Sequence, residues 1–343
     1  MKNITKVGLS ALAGALAFTS VNAGEMTVSG SMHVTYQSEQ NNVTGNPLGM
    51  NTDLTFAGST DTDFGTASFS LATDGTFVGE SGADHTYSLA TGMGTFRVAN
   101  NGDAANAVDD IMPSAWEEAN GSGSGSYAVD FGSSMDGSMS LGYANGDIMG
   151  TGVSVNYTYY PKLDATTNNE KAASGDDQGA VGTKSAQSIN IGIPLDMAGV
   201  AGAKLTLGAE EADNENAALT PKEGVTGALV VPFGNVKVGY QKKVYQAAMT
   251  TVGSKAFYKD DIIGIAVAVN DDLAVSYGVM ESSKHDNSAG DATGTIEQET
   301  KSINVAYTVG GLTLAFADAK TKNSGYASGT DNDTRTISIR TAF

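Results

Sequence analysis

The side chains able to do chemistry are few and unevenly placed. The chain has no Cys, and its three histidines, His33, His85 and His285, stand far apart, none in a recognisable catalytic motif. Nucleophilic catalysis needs a nucleophile beside a positioned base, and zinc or iron–sulfur sites need gathered thiolates or imidazoles. An enzyme is therefore not expected, nor a cofactor. What the chain does gather is carboxylate: Asp103, Asp109, Asp110, Glu117 and Glu118 fall within one polar stretch, residues 101–124. Acids lining a low-dielectric cleft focus the field and draw cations. The acidic turns Asp61-Thr62-Asp63, Asp176-Asp177 and Asp331-Asn332-Asp333 offer oxygens that could suit calcium. No EF-hand spacing accompanies them, and Asp is common in turns for its own reasons.

These residues must be positioned by short strands. From Met26 the chain alternates: Met26, Val28, Gly30, Met32, Val34 and Tyr36 share one face, and Thr27, Ser29, Ser31, His33, Thr35 and Gln37 share the other. Period two means strand. Further runs follow at 54–58, 67–73, 85–91, 94–100, 127–131, 139–143, 153–159, 189–195, 203–209, 225–231, 236–243, 263–269, 273–279, 303–309, 312–316 and 337–343, with no long helix and no break in composition. Tight turns such as Thr91-Gly92-Met93-Gly94 and Val309-Gly310-Gly311 alternate with long polar stretches such as 101–124, 161–184 and 282–298. Short turns on one side and long loops on the other are the pattern of a transmembrane antiparallel β-barrel. The second face of each run is Ser, Thr, Gly, Asn and Gln, which suits a wet interior better than the core of a sandwich. Seventeen runs cannot close an even barrel, and the fault lies between 125 and 185. The expectation is sixteen strands, with eighteen open.

Composition narrows the class further. No stretch beyond residue 23 holds the roughly 18–20 apolar residues of a membrane helix, and mean hydropathy is −0.15. A formal charge of −19 argues against nucleic acid as a partner, because phosphate contacts need clustered Lys and Arg. Residues 1–23 read as a cleaved secretory signal: Lys2 and Lys6, then the apolar run Val7–Val21, then Val21-Asn22-Ala23. The remaining domain is 24–343.

The chain stops on Phe343, at the end of the alternating run Thr334–Phe343. A terminal Phe closing such a strand resembles the assembly signal read by the barrel assembly machinery, with Thr341 where that signal usually carries a larger apolar residue. With the leader and the strand pattern, the chain resembles a Gram-negative general diffusion porin, particularly the alphaproteobacterial type. Local resemblance centres on 84–131: strand, tight turn, strand, then the long stretch 101–124. That resemblance implies a homotrimer in outer-membrane lipid, reached through the periplasm, and a third loop folded into the pore. It implies passive diffusion of small hydrophilic solutes and ions, with Asp103, Asp109, Asp110, Glu117 and Glu118 at a constriction.

Porins generally oppose such acids with a ladder of Arg and Lys. Here Arg97 is the single cation between Gly24 and Pro161, against sixteen acids. Alternation turns Arg97, Lys204, Lys237, Lys243, Arg340 and His33 inward. Arg97, with Lys204 and Lys237, is expected to oppose the loop, whereas Lys243 and Arg340 are expected near the rims. Excess carboxylate implies weak cation selectivity. Trp116 could pin the loop or touch solutes. Tyr36, Phe56, Phe69, Tyr143, Tyr157, Tyr159, Tyr240, Tyr277, Tyr307 and Phe316 could form lipid-interface girdles or sit mid-barrel. The alternatives are a substrate-specific channel, which an aromatic track along the bore would favour, and a secreted acidic adhesin.

Overall fold

The computed structural model describes residues 26–40, 46–74, 83–100, 102–119, 138–163, 183–214, 220–246, 256–286 and 296–343. The expected leader, the run 127–131 and Asp176-Asp177 lie outside them. Sixteen strands close one antiparallel barrel in which each pairs only with its neighbours in sequence, the last returning to the first. They are β1 (Met26–Glu39), β2 (Leu48–Thr62), β3 (Gly65–Asp74), β4 (Ala83–Thr91), β5 (Gly94–Ala99), β6 (Ser140–Asn145), β7 (Ser154–Tyr160) and β8 (Thr183–Pro194). The second half comprises β9 (Lys204–Asn214), β10 (Lys222–Phe233), β11 (Val236–Gln246), β12 (Ala256–Ala268), β13 (Leu273–Asp286), β14 (Glu297–Val309), β15 (Leu312–Lys322) and β16 (Asn332–Ala342). Strand β5 pairs directly with β6, Arg97 opposite Gly142, so the ladder has no place for a strand between them. This resolves the excess run in favour of sixteen.

Closure follows from the outward face. Met32, Tyr36, Phe69, Phe96, Leu207, Tyr240, Ile263, Tyr277, Ile303, Leu314 and Ile337 are exposed, as a face solvated by lipid requires. In lipid every backbone N–H and C=O must be paired, which only a closed sheet achieves. The seam joins β1 to β16 from Ser31–Ala342 to Glu39–Thr334. Beyond it Phe343 exchanges both backbone hydrogen bonds with Gly30, at 2.8 and 2.9 Å.

The short-turn end is made by local chemistry. Thr62 and Thr91 each accept from the N–H two residues on, and each hydroxyl donates to the carbonyl of Gly65 or Gly94 (2.7 and 2.8 Å). Those glycines have φ of 141° and 128°, a region closed to side chains.

Candidate functional site: a loop laid inside the bore

Residues 102–119 run from the end of β5 into the barrel and along its inner wall. The root is tied to β7 and β8: the Thr158 hydroxyl donates to the Gly102 carbonyl, and the Ala104 N–H donates to Ser188 Oγ at 2.9 Å. Asn190 Nδ2 returns a bond to the Ala104 carbonyl at 2.5 Å. A short 3-10 turn, Asn106–Val108, follows, and the Val108 carbonyl accepts from Gln241 Nε2 on β11 at 2.8 Å. Further on, the Ala115 N–H donates to Ser276 Oγ on β13 at 2.8 Å. Each buried backbone group used here would cost about 1–3 kcal/mol if left unpaired.

The wall is shaved to receive the loop. A Cβ on Gly239 would stand 2.4 Å from Pro113 Cδ, and one on Gly264 would stand 2.8 Å from the Pro113 carbonyl oxygen. Gly208 meets Val108 and Gly278 meets Ala119 in the same way. These glycines sit on inward positions of β9, β11, β12 and β13, so the loop backbone lies where side chains would be. Beside them the alternation inverts. Ile262 and Met280 point inward and pack with Met112, Ala119 and Ala228 in a small apolar core within the bore.

Charge fixes the middle of the loop. Lys243 Nζ lies 2.7 Å from Asp109 and 3.8 Å from Asp110; Lys243 and Asp109 are almost fully buried, whereas the Asp110 side chain is 61% exposed. Thus Lys243, expected near the rim, is the cation under the loop. Arg340, also expected near the rim, lies close enough to Glu117 to pull against the rise that burial and Asp110 impose on its carboxyl. The reason is stagger: alternation gives the face of a side chain but not its height, and the seam strands stand at the level of the loop.

The remaining cations lie elsewhere. Arg97 lies flat over Gly142, and its Nη2 donates to Asn156 Oδ1 on β7. Lys204, opposite Pro194, and Lys237, opposite Pro232, stand beside the short turns, and no ion pair joins either to the loop among the described residues. Asp103 caps the loop root, accepting from the Ala105 N–H at 2.7 Å. Glu118 accepts from the Met112 N–H, and burial, reinforced by Asp110, pushes its carboxyl up to about 8. Burial and Asp110 raise Glu117 as well, against the pull of Arg340.

The loop reaches the far side of the bore through Trp116, whose ring meets His33 on β1 edge-on at 6.3 Å between centroids. Beneath it Arg340 donates to Ser31 Oγ (3.4 Å), which donates to Asp53 (2.9 Å). Inner positions of β7–β16 such as Thr158, Ser188, Thr226, Gln298, Ser302 and Asn304 are buried, while most of those of β1–β4, Ser31 excepted, stay accessible. The open passage therefore runs between the loop and β1–β4. Among the described residues no three potential metal ligands converge.

A closed, lipid-faced barrel with a loop laid across its bore has the architecture of a porin. Neither a protein-family model nor a curated protein matches the sequence. Solved structures do. A porin refined at 1.8 Å superposes with a TM-score of 0.63 at 15% identity, covering 93% of this chain and all of that one. An anion-selective porin from Comamonas acidovorans gives 0.64 at 14% identity, covering 93% and 99% of the two chains. Salmonella typhi OmpF, solved in complex with daunomycin, gives 0.65 at 13%, covering 94% and 98%. The chain has the porin fold.

Proposed function

We propose that this protein is an outer-membrane channel for passive diffusion of small hydrophilic solutes and ions, with a preference for cations. The carrying observation is the charge left facing the bore. Lys243 lies against the buried Asp109, while Asp110, 3.8 Å from the same Lys243, is 61% exposed with Glu117 near it. Of the inward cations, Arg97 on β5 is bonded to Asn156 and Arg340 on β16 lies near Glu117. Fixed charge at a narrow place sets which ion enters. A porin of the same fold is anion-selective, so the sign follows from side chains and not from the barrel.

Residues 1–23 as an export leader through the periplasm, and Phe343 as the residue read by the barrel assembly machinery, belong to the same proposal. So does a homotrimer. The outward face of β1–β7 carries no Asp, Glu, Lys or Arg at any height, whereas β9–β16 carry Glu211, Lys242, Asp261, Glu299, Lys301 and Arg335 toward the long-loop end. A lone barrel would present both faces to the same headgroups. An uncharged face supports contact with further copies.

The test is single-channel conductance of detergent-purified protein in a planar bilayer, with reversal potential under a salt gradient. Stable open steps reversing on the cation side are expected. Anion-side reversal would sink the charge argument, and silence from folded, inserted protein would sink the channel.

A further inference from the structure

We infer that Tyr326 is a positioning residue for the loop inside the bore: the turn between β15 and β16, residues 323–331, is a latch applied from the long-loop side that holds the root of that loop on the wall. Its consequence for conduction rests on the channel reading above; the latch itself does not.

Two routes connect the turn to the loop. The first is aromatic. Tyr326 meets Tyr258 on β12, with ring centroids 6.1 Å apart at 49°. Tyr258 stands directly across from Tyr245 on β11, and both pack against the buried Ala105 at the loop root. The Ala105 carbonyl accepts from the Val108 N–H at 3.0 Å, so this residue opens the 3-10 turn that delivers Asp109 and Asp110. The second route is polar. Ser282 Oγ on β13 donates its one proton to Asp260 on β12, so the Tyr326 hydroxyl must be the donor in its 2.7 Å bond to Ser282 Oγ. Asp260 stands directly across from Lys243, and Lys243 holds Asp109 at 2.7 Å. Tyr326 thus reaches the same stretch of loop twice, through its ring and through its hydroxyl. Thr158, Ser188 and Asn190 hold the root from β7 and β8; the tyrosines hold it from the side of β11 and β12.

The turn is built to present that ring. Asn323 Nδ2 donates to the Glu297 carbonyl and the Gly325 N–H to Gln298 Oε1, both at 2.9 Å, which ties the turn to β14. Inside the turn Asn323 Oδ1 accepts from the Gly329 N–H at 3.0 Å, and the Ser324 N–H donates to the Thr330 carbonyl at 2.6 Å. Asn323, Gly325 and Tyr326 have φ of 51°, 67° and 59°. Asn and Gly visit this left-handed region readily, whereas a bulky residue does so at a cost and persists only where its surroundings over-determine it. Asn or Gly at position 326 would suit the turn better. What the tyrosine adds is contact across the mouth, on β12 and β13.

Because the chain has no Cys, single spin-label reporters can be placed cleanly. A nitroxide on Ala107→Cys, at an exposed position of the loop, reads loop motion in folded protein in detergent. A second, on Ser70→Cys, reads the inner face of β3 on the open wall. Tyr326→Asn keeps a residue that suits the left-handed backbone and removes both routes. It should shorten the correlation time of the label at 107 about threefold and leave the label at 70 unchanged, since a released loop moves far faster than a paired sheet. Tyr326→Phe, which keeps the ring on Tyr258, should give a smaller change. In planar bilayers Tyr326→Asn should close briefly and more often than the parent. Silent channels would sink the channel reading while the label result stands, so the two fail separately. A label at 107 as immobile in Tyr326→Asn as in the parent, or equal loosening at 107 and 70, would overturn the inference.

Discussion

Strands β1–β6 and β7–β16 share one alternating pattern, yet the two parts of the wall are finished differently. On β7–β16 the inner face is covered: loop residues 102–119 and the Tyr326 turn lie on it, and Gln241, Gln298, Thr300 and Asn304 are shut away from water. On β1–β4 the inner face is rich in Ser and Thr and most of it stays open. Outside, the charged collar belongs to β9–β16, and β1–β7 lack it. A barrel needs only one wall to carry the bolt that narrows it, leaving the other free to line the path. Burial turns small polar residues into obligatory hydrogen-bond partners on one side and leaves them as solvent-exchanging hydroxyls on the other.

The largest expected effect compares two adjacent residues. Lys243→Met takes from the buried Asp109 its 2.7 Å partner and should lower the free energy of unfolding in detergent by about 3–5 kcal/mol. Lys242→Met, on the outer face, removes a 2.8 Å pair with Asp261 that is half open to solvent and should cost under about 1 kcal/mol. Equal losses would break the contrast between the covered wall and the outer face.

Charge on the loop should act on ions more than on stability. Asp110→Asn combined with Glu117→Gln is expected to lower the cation-to-anion permeability ratio about threefold, and Arg97→Gln to raise it, more strongly in dilute salt. Reversal potentials under a salt gradient measure both. No change in the loop variant would show that the passage does not run past these acids.

A smaller effect concerns pH. The ordinary Glu118 carboxyl releases its proton near 4.5, and the folded one near 8. Between these values the docked loop holds a proton that the unfolded chain has lost, so docking weakens as pH rises through the window. As pH passes about 8 the folded Glu118 carboxyl ionises and cation preference should increase. Reversal potential and thermal unfolding at about pH 5 and about pH 9 check the two slopes, and Glu118→Gln should flatten both.

The smallest change is expected on the open wall. Ser88→Ala removes a 2.7 Å hydroxyl contact with Ser68, and because water can replace it the cost should stay below about 1 kcal/mol, with conductance unaltered. A large loss there would mean that this wall too is a packed surface.

Much of this molecule was legible before folding. Alternation identified the strands, since side-chain direction repeats every two residues whatever the partner strand. Thr91-Gly92-Met93-Gly94 announced a tight turn because its hydroxyl and glycine act within four residues. The loop acids were visible as a cluster, and alternation correctly turned Lys243 and Arg340 inward.

What only the tertiary structure decided is height and cover. Lys237 and Lys243 share one face of β11, and nothing local says that the loop crosses at the second. Ile262 and Met280 break the polar inner pattern, and Gly208, Gly239, Gly264 and Gly278 are unremarkable singly, until the loop is laid on them as one seat. Tyr258 and Tyr326 lie on separate segments and meet only in the fold. The physical reason is common to all. Face is a property of two consecutive residues, whereas height depends on strand stagger accumulated around the whole closed sheet.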